Sequence, residues 1–120
     1  GLRMCYEVEQ FTTESGKKPV LDFILEQDKN TQDLIFSGIE QLEIRKGIIQ
    51  NQNLETKHVK DKIFELKFKK LAVRILFAYH PVKRKFILLL HGVIKKRDKL
   101  KLSDIEGAAE RYKIMLNRYY

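Results

Sequence analysis

The stretch "FILLLHGVIKKRDKLKL", residues 86–102, joins two segments of opposite character. Its first half is a continuous apolar run, as expected for a β-strand that is buried on both faces of a sheet. Its second half carries five cations, Lys95, Lys96, Arg97, Lys99 and Lys101. A central strand that runs straight into positive charge predicts a basic rim on the sheet where that strand ends.

Positive charge is concentrated in the middle third of the chain. The net charge is +8, but residues 57–101 alone hold 15 Lys or Arg against 3 Asp or Glu. Residues 1–56 hold 6 against 10, and residues 102–120 hold 3 of each sign. This distribution predicts a surface that binds a polyanion, provided that the charges converge in space. The alternative is that the lysines only keep exposed hairpins soluble.

Length and composition are those of an ordinary globular protein. The 120 residues predict one domain, residues 1–120, with 43% hydrophobic and 33% charged residues. No apolar run is long enough to span a bilayer, no signal-like segment opens the chain, and the single Cys5 excludes an intramolecular disulfide. Together these features predict a cytoplasmic protein. Whether Gly1 to Arg3 are native, or whether Met4 is the original start, stays open.

The hydrophobic patterns predict the element order β-α-α-β-β-β-α. In the longer N-terminal helix, Leu34, Ile35, Ile39 and Leu42 form the predicted apolar stripe. The order predicts an α+β domain with a small antiparallel sheet, two N-terminal helices packed on one face and a C-terminal helix. The predicted segments are a strand at 4–11, helices at 20–27 and 31–47, a connecting loop at 48–62, strands at 62–68, 71–80 and 85–94, and a helix at 103–120.

The strands at 62–68 and 71–80 alternate apolar and polar residues, which predicts one apolar face. With a two-residue turn, Glu65 lies across from Arg74 and Lys67 lies diagonal to it. The face assignment survives any even change in the length of the connection. The polar face is therefore predicted to combine cations with one carboxylate, and the simplest interpretation of Glu65 and Arg74 is a cross-strand ion pair.

No high-specificity enzyme motif is present, but the predicted basic face could act on RNA. Cleavage of RNA can use the neighbouring 2′-hydroxyl as nucleophile, so that the protein need only orient it and stabilise charge on the phosphorane. Arg74 suits a two-pronged contact with phosphate oxygens. The same face equally suits nucleic-acid binding without catalysis.

Three short motifs carry a resemblance to a known family: "KHVKDKIFELKF" (57–68), "VRILFAYH" (73–80) and "LLHGVIKKRDK" (89–99). In this order and at these separations they resemble the RelE/ParE superfamily of bacterial type II toxins, and most closely its phage-derived, HigB-like branch. The resemblance extends from about Tyr6 to Arg111. It implies a ribosome-dependent messenger-RNA endonuclease that inhibits translation, without a metal or other cofactor.

The resemblance also implies roles for single residues. Arg74 and Lys95 would brace the scissile phosphate, Lys96 would complete the lysine pair, and Lys67 would be the proton handler or a second brace. The residues implied in RNA binding are Lys57, Lys60, His91, Arg97 and Lys99. The chain departs from the family pattern at Lys67, where an arginine is usual, and at Val73 and Val93, where aromatic residues are usual.

Partners follow from the same resemblance. A cognate antitoxin, usually of the helix-turn-helix type, would neutralise the chain, and operator DNA would be contacted only through that antitoxin. Ribosome and messenger RNA would be the other partners, and no membrane is implied. Two alternatives remain at this point: a ParE-like inhibitor of DNA gyrase, against which the basic middle segment argues, and a basic nucleic-acid-binding module without catalysis.

Overall fold

A computed structural model of the chain describes residues 5–119, so the question about Gly1 to Arg3 lies outside the described part. Within that part the chain forms five strands and three helices. In chain order they are β1 (Glu7–Gln10), α1 (Pro19–Leu25), α2 (Lys29–Ile44), β2 (Leu54–Lys60), β3 (Ile63–Phe68), β4 (Val73–Tyr79), β5 (Phe86–Ile94) and α3 (Leu102–Tyr119).

The strands form one sheet in the order β1-β5-β4-β3-β2. The predicted α+β class is confirmed, and β5 is indeed an interior strand. The prediction of a purely antiparallel sheet is wrong, because β1 pairs with β5 in parallel while the other three pairings are antiparallel. The helical segment between β1 and the rest of the sheet makes this direction possible, since a parallel pair needs a long connection.

The predicted loop at 48–62 contains β2, which the sequence pattern missed. Its neighbour among the named strands is β3, it forms one edge of the sheet, and Lys57, His58 and Lys60 on it are exposed. Glu55 on the same strand also forms an isolated bridge with Gln50. An edge strand that packs little apolar surface needs no regular apolar alternation, and charged residues protect it from pairing with other chains. The missing period therefore reflects the position of β2 in the sheet.

The two N-terminal helices pack on one face of the sheet, as predicted, and the C-terminal helix packs on the other face. Helices α1 and α2 cover one face, the α1/α2 face, where Val20, Ile24, Ile35 and Leu42 pack against the strands. Helix α3 packs on the opposite face, the α3 face, through Ala108 and Met115. The predicted stripe on α2 is correct for Ile35 and Leu42, but Leu34 is 46% exposed.

The connection between β3 and β4 is longer than a tight turn, and the predicted faces survive. Lys67 pairs with Arg74 and Leu66 pairs with Ile75, which leaves the four residues 69–72 in the connection. Since the loop is two residues longer than assumed, every side chain keeps its predicted face. The predicted register is wrong by this step: Lys67, not Glu65, lies directly across from Arg74.

Candidate functional site

Helix α3 covers only part of its face of the sheet. Its apolar contacts reach Ile63 at the start of β3, Leu76 and Ala78 on β4, and Leu88 and Leu90 on β5. The opposite end of the same face carries charged side chains on neighbouring strands. We call this region the uncovered half and define it as Glu55, Lys57, Glu65, Lys67, Arg74, Val93 and Lys95.

The strand pairings order these residues into two rows across the sheet. The first row runs through Glu55, Lys67, Arg74 and Val93, each paired with the next. The second row runs through Lys57, Glu65, Leu76 and His91. Residues directly opposite one another in adjacent strands have Cβ atoms about 4.5–5.5 Å apart. The cation Lys67 and the cation Arg74 are therefore held side by side by the backbone itself.

Arg74 lies deep in this surface, because its side chain is only 7% exposed. Its Nη1 donates hydrogen bonds to the backbone carbonyls of Val73 at 2.9 Å and Leu71 at 3.4 Å. Its Nε is buried and has no hydrogen-bond partner among the described residues. A forked contact with phosphate, as expected from the sequence, would have to use the nitrogens other than Nη1 or release these carbonyls.

Glu65 lies between two cations of the uncovered half. One of its carboxylate oxygens is 4.0 Å from Arg74 Nε and the other is 3.9 Å from Lys57 Nζ. The predicted ion pair between Glu65 and Arg74 is therefore present, although diagonally and not directly across the strands. Unlike an exposed pair, both side chains are almost fully buried, at 6% and 7% exposure.

Lys95 follows β5 and remains tied to the sheet, because its backbone N–H donates to the carbonyl of Ala72. With Lys57, Glu65 and Lys99 it lines a cavity of about 310 Å³. Lys95 is thus on the same side as Glu65, next to the rows formed by Lys67 and Arg74. Of the residues assigned to catalysis by resemblance, these three cations lie in one region of the surface.

The remaining predicted cations lie in the segment 95–101, the basic loop, with one exception. Lys96, Arg97 and Lys99 are exposed there and line a second cavity of about 440 Å³ beside Phe23 and His91. Lys60 is the exception, because it pairs with Ile63 at the end of the sheet that α3 covers. The structure therefore does not bring Lys60 together with the Lys67–Arg74 pair.

His91 belongs to a network that the sequence did not reveal. Its Nε2 lies 2.8 Å from Asp104 Oδ1, and Arg111 Nη1 lies 3.2 Å from its Nδ1. Because a guanidinium only donates, Nδ1 accepts, and the proton sits on Nε2 and points at Asp104. Burial lowers the pKa of Arg111, whose Nη1 also donates to the carbonyl of Leu90 at 2.8 Å.

This network ties α3 to the end of β5. Both ring nitrogens of His91 are engaged, so an RNA contact through this ring would require one of the two bonds to open. Asp104 is 13 residues and Arg111 is 20 residues from His91 along the chain. Helical spacing places Asp104 and Arg111 on one side of α3, but nothing in the sequence connects that side with His91.

Neither a metal centre nor a membrane helix is found in the described part of the chain. Within residues 5–119, no three His, Cys, Asp or Glu side chains come close enough together to hold a metal ion. Over the same range, no helix combines the length and apolar character needed to cross a membrane.

Comparison with known proteins places the chain in a family. Residues 22–113 match the family model described as "Phage derived protein Gp49-like (DUF891)". The match includes every cation assigned above, from Lys57 to Lys99, together with Asp104 and Arg111. No curated protein matches the chain. Because the matched segment spans well over half of the sequence, the chain belongs to the phage-derived Gp49-like family, a toxin-like family related to the RelE/ParE-type toxins.

Proposed function

We propose that the chain is the toxin of a bacterial type II toxin–antitoxin system, of the HigB-like branch, and acts as a ribosome-dependent messenger-RNA endonuclease. One observation carries the proposal: Lys67 and Arg74 are paired on the uncovered half, and Lys95 lies beside them at the start of the basic loop. Together they form a cationic surface on a rigid sheet, which suits the phosphorane that forms when RNA is cut.

In the proposed reaction the substrate supplies the nucleophile. The 2′-oxygen attacks the adjacent phosphorus, the bond to the 5′-oxygen breaks, and a 2′,3′-cyclic phosphate and a 5′-hydroxyl result. Arg74 and Lys95 brace the phosphate oxygens, Lys96 adds charge beside them, and Lys67 handles a proton or acts as a second brace. This route requires no metal ion or cofactor, because both the nucleophile and the charge stabilisation come from groups already named.

The basic loop would bind the RNA backbone on either side of the cut. Arg97 and Lys99 are exposed and carry no ion pair within residues 5–119, so they are available to phosphate. Lys57 and Lys60 would extend this contact along the edge strand β2, and His91 would support the loop from below. Each phosphate contact of this kind adds to the salt dependence of binding.

The proposed partners are those of the toxin class. The ribosome presents messenger RNA in the cytoplasm. A helix-turn-helix antitoxin neutralises the chain, and operator DNA is contacted only through this antitoxin. An antitoxin segment that covers the uncovered half should be acidic or apolar, since it must replace RNA on a cationic surface.

Controlled expression in bacteria tests this function. The wild-type chain should arrest growth and produce new transcript 5′ ends that follow the codon phase. Lys67→Ala combined with Lys95→Ala should lower cleavage by about 100-fold or more, the typical cost of losing transition-state charge stabilisation. Lys18→Ala combined with Lys113→Ala, two exposed lysines outside the region, is the matched control and should stay toxic.

The other two functions make different predictions in the same experiment. Broken chromosomes with intact transcripts would overturn the nuclease and favour a gyrase inhibitor. Normal growth with the folded wild-type chain, together with RNA binding in vitro, would overturn it in favour of a binding module without catalysis.

A further inference from the structure

Glu65 is an unusual residue for a cationic surface. It is 4% exposed and Arg74 is 5% exposed, and these two are the buried polar or charged residues in the described part of the chain. A buried carboxylate is expensive unless it is fully paired and hydrogen-bonded. The question is whether Glu65 only neutralises Arg74 or also acts on the substrate.

The pair between Glu65 and Arg74 is not closed. Charge-assisted N–H···O hydrogen bonds are about 2.7–2.9 Å long, whereas Glu65 lies 4.0 Å from Arg74 and 3.9 Å from Lys57. Neither carboxylate oxygen of Glu65 accepts a hydrogen bond from any residue within 5–119, and Arg74 Nε has no partner there either. A pair that served stability alone would be expected to use these atoms on each other.

Glu65, although almost fully buried, borders a cavity. It lines the cavity of about 310 Å³ whose other walls include Lys57, Lys95 and Lys99. These cations would draw a phosphate into the cavity, and a ribose beside that phosphate would reach the carboxylate. Glutamate carboxylates are ordinarily ionised at neutral pH, and a positioned carboxylate is a competent general base.

We propose that Glu65 is the general base that activates the 2′-hydroxyl, an assignment that rests on the proposed function. The carboxylate takes the proton of the 2′-hydroxyl as the 2′-oxygen bonds to phosphorus. The P–O5′ bond breaks, and the leaving 5′-oxygen takes a proton from the ammonium group of Lys95. Solvent then removes the proton from Glu65 and returns one to Lys95, so that the protein is unchanged after each cycle.

This assignment narrows the roles of the neighbouring cations. Lys67 and Arg74 become braces for the phosphorane, with Arg74 Nε as a free donor close to the base. Because Arg74 is held by backbone carbonyls through Nη1, it keeps its place while Glu65 changes protonation state.

The test compares Glu65→Gln with Glu40→Gln. Gln preserves the shape of Glu65 and removes its ability to accept a proton. Glu40 is the matched control, because it is an exposed carboxylate on α2, which packs on the opposite face of the sheet, and it lies outside the uncovered half. Both purified variants are assayed on ribosome-bound messenger RNA in single-turnover reactions, and folding is verified by urea unfolding.

Glu65→Gln should lower the rate constant by about 10²–10⁴-fold, the usual contribution of general acid–base catalysis. Binding of RNA with a 2′-deoxy residue at the cut site should stay within about twofold of wild type, because only the proton acceptor is lost. The wild-type rate should fall as the pH is lowered, and the residual rate of Glu65→Gln should lack that acidic limb. Glu40→Gln should keep both the rate and the acidic limb.

Three outcomes would overturn the inference. Cleavage by folded Glu65→Gln within tenfold of wild type would show that Glu65 is only a counter-charge. A loss of cleavage matched by an equal loss of 2′-deoxy RNA binding would show a structural role. A wild-type protein that cuts no ribosome-bound RNA would overturn the proposed function and this inference together. Cutting at similar rates by the wild type and Glu65→Gln would overturn the inference alone.

Discussion

The two faces of the sheet are built from the same strands but differ in composition: one is apolar and the other carries charged side chains. On the α1/α2 face, Leu66, Ile75 and Phe77 are fully buried beneath two helices. The sequence neighbours of Leu66 and Ile75 point to the α3 face: Glu65 and Lys67 on β3, and Arg74 on β4. Because strand side chains alternate, one sequence can specify an apolar core and a charged surface at the same time.

The difference shows which residues decide the fold and which decide function. Two helices pack an apolar core against the α1/α2 face, whereas the apolar contacts of α3 do not extend to Glu65, Lys67 and Arg74 on its face. Charged residues at that end of the sheet are not required for folding, and the buried Glu65–Arg74 pair is a cost that the core does not need. The comparison therefore predicts that the two faces respond differently to substitution.

The largest effect is expected for Phe77→Ala on the α1/α2 face. Phe77 is 0% exposed, and its ring centroid lies 5.7 Å from that of Phe64 and 5.9 Å from that of Tyr79. Removing the ring should lower the free energy of unfolding by about 3–5 kcal/mol, since it leaves a cavity in a closed core. Urea unfolding followed by circular dichroism measures this.

Lys67→Ala is the control for Phe77→Ala on the other face. Its side chain is only partly buried, so that substitution should change the free energy of unfolding by about 0.5 kcal/mol or less. An equal loss in the two variants would refute the division of the sheet into a structural face and a functional face.

Much of the structural face could be predicted from the sequence. The alternation in β3 and β4 determined which side chains share a face, and the helix predicted at 20–27 begins one residue earlier, at Pro19, because proline is favoured at the first helical position. Gly47, at a φ of +81°, lies just beyond the end of α2, where glycine is favoured because that backbone region excludes most side chains. These are local effects, which the neighbouring residues determine.

The features that the sequence did not reveal depend on distant contacts. The parallel pairing of β1 with β5 depends on which strand is a neighbour, and the period of a strand does not contain that information. The connection after β3 has four residues and not the assumed two, so that Lys67 and not Glu65 is the cross-strand partner of Arg74, although Arg74 keeps its predicted face. The network of His91, Asp104 and Arg111 joins a strand to a helix that only the folded chain brings together.

An intermediate effect is expected when the buried ion pair is broken. Arg74→Met leaves the Glu65 carboxylate buried without its buried partner, and should lower the free energy of unfolding by about 3 kcal/mol. The double variant Glu65→Leu/Arg74→Met removes both charges and should recover to within about 1 kcal/mol of wild type, because apolar residues of similar size often replace a buried pair without loss. Urea unfolding and the cleavage assay on the same preparations measure both properties.

The double variant separates the two faces most sharply. It should be stable and inactive, since it keeps the core and loses both the proposed base and a proposed brace. If it were as unstable as Arg74→Met, the pair would be part of the structural core. If it were stable and still cut RNA, the catalytic region would have to lie elsewhere on the surface.

The smallest effect concerns Tyr79, at the end of β4 on the α1/α2 face. Burial raises the pKa of this phenol above the usual 10.0, and negative charge on Tyr6 raises it further; its hydroxyl also donates to the carbonyl of Lys46 at 3.4 Å. The folded state therefore holds this proton more tightly than the unfolded chain. The resulting contribution to stability is fully present below about pH 10, where the unfolded phenol is still protonated, and is lost as the pH rises through the folded pKa.

Tyr79→Phe should accordingly weaken the fall in the free energy of unfolding above about pH 10, as measured by urea unfolding across an alkaline series. Tyr6→Phe is the matched control and should keep most of that fall, because it removes the neighbouring charge but not the burial of Tyr79, which is the larger cause. A pH dependence identical in Tyr79→Phe and wild type would show that the alkaline response arises elsewhere.

The uncovered half, which is proposed to bind phosphate through lysine and arginine, should instead respond to salt, since counterion release governs such binding. Alkaline pH and ionic strength thus probe the two faces separately.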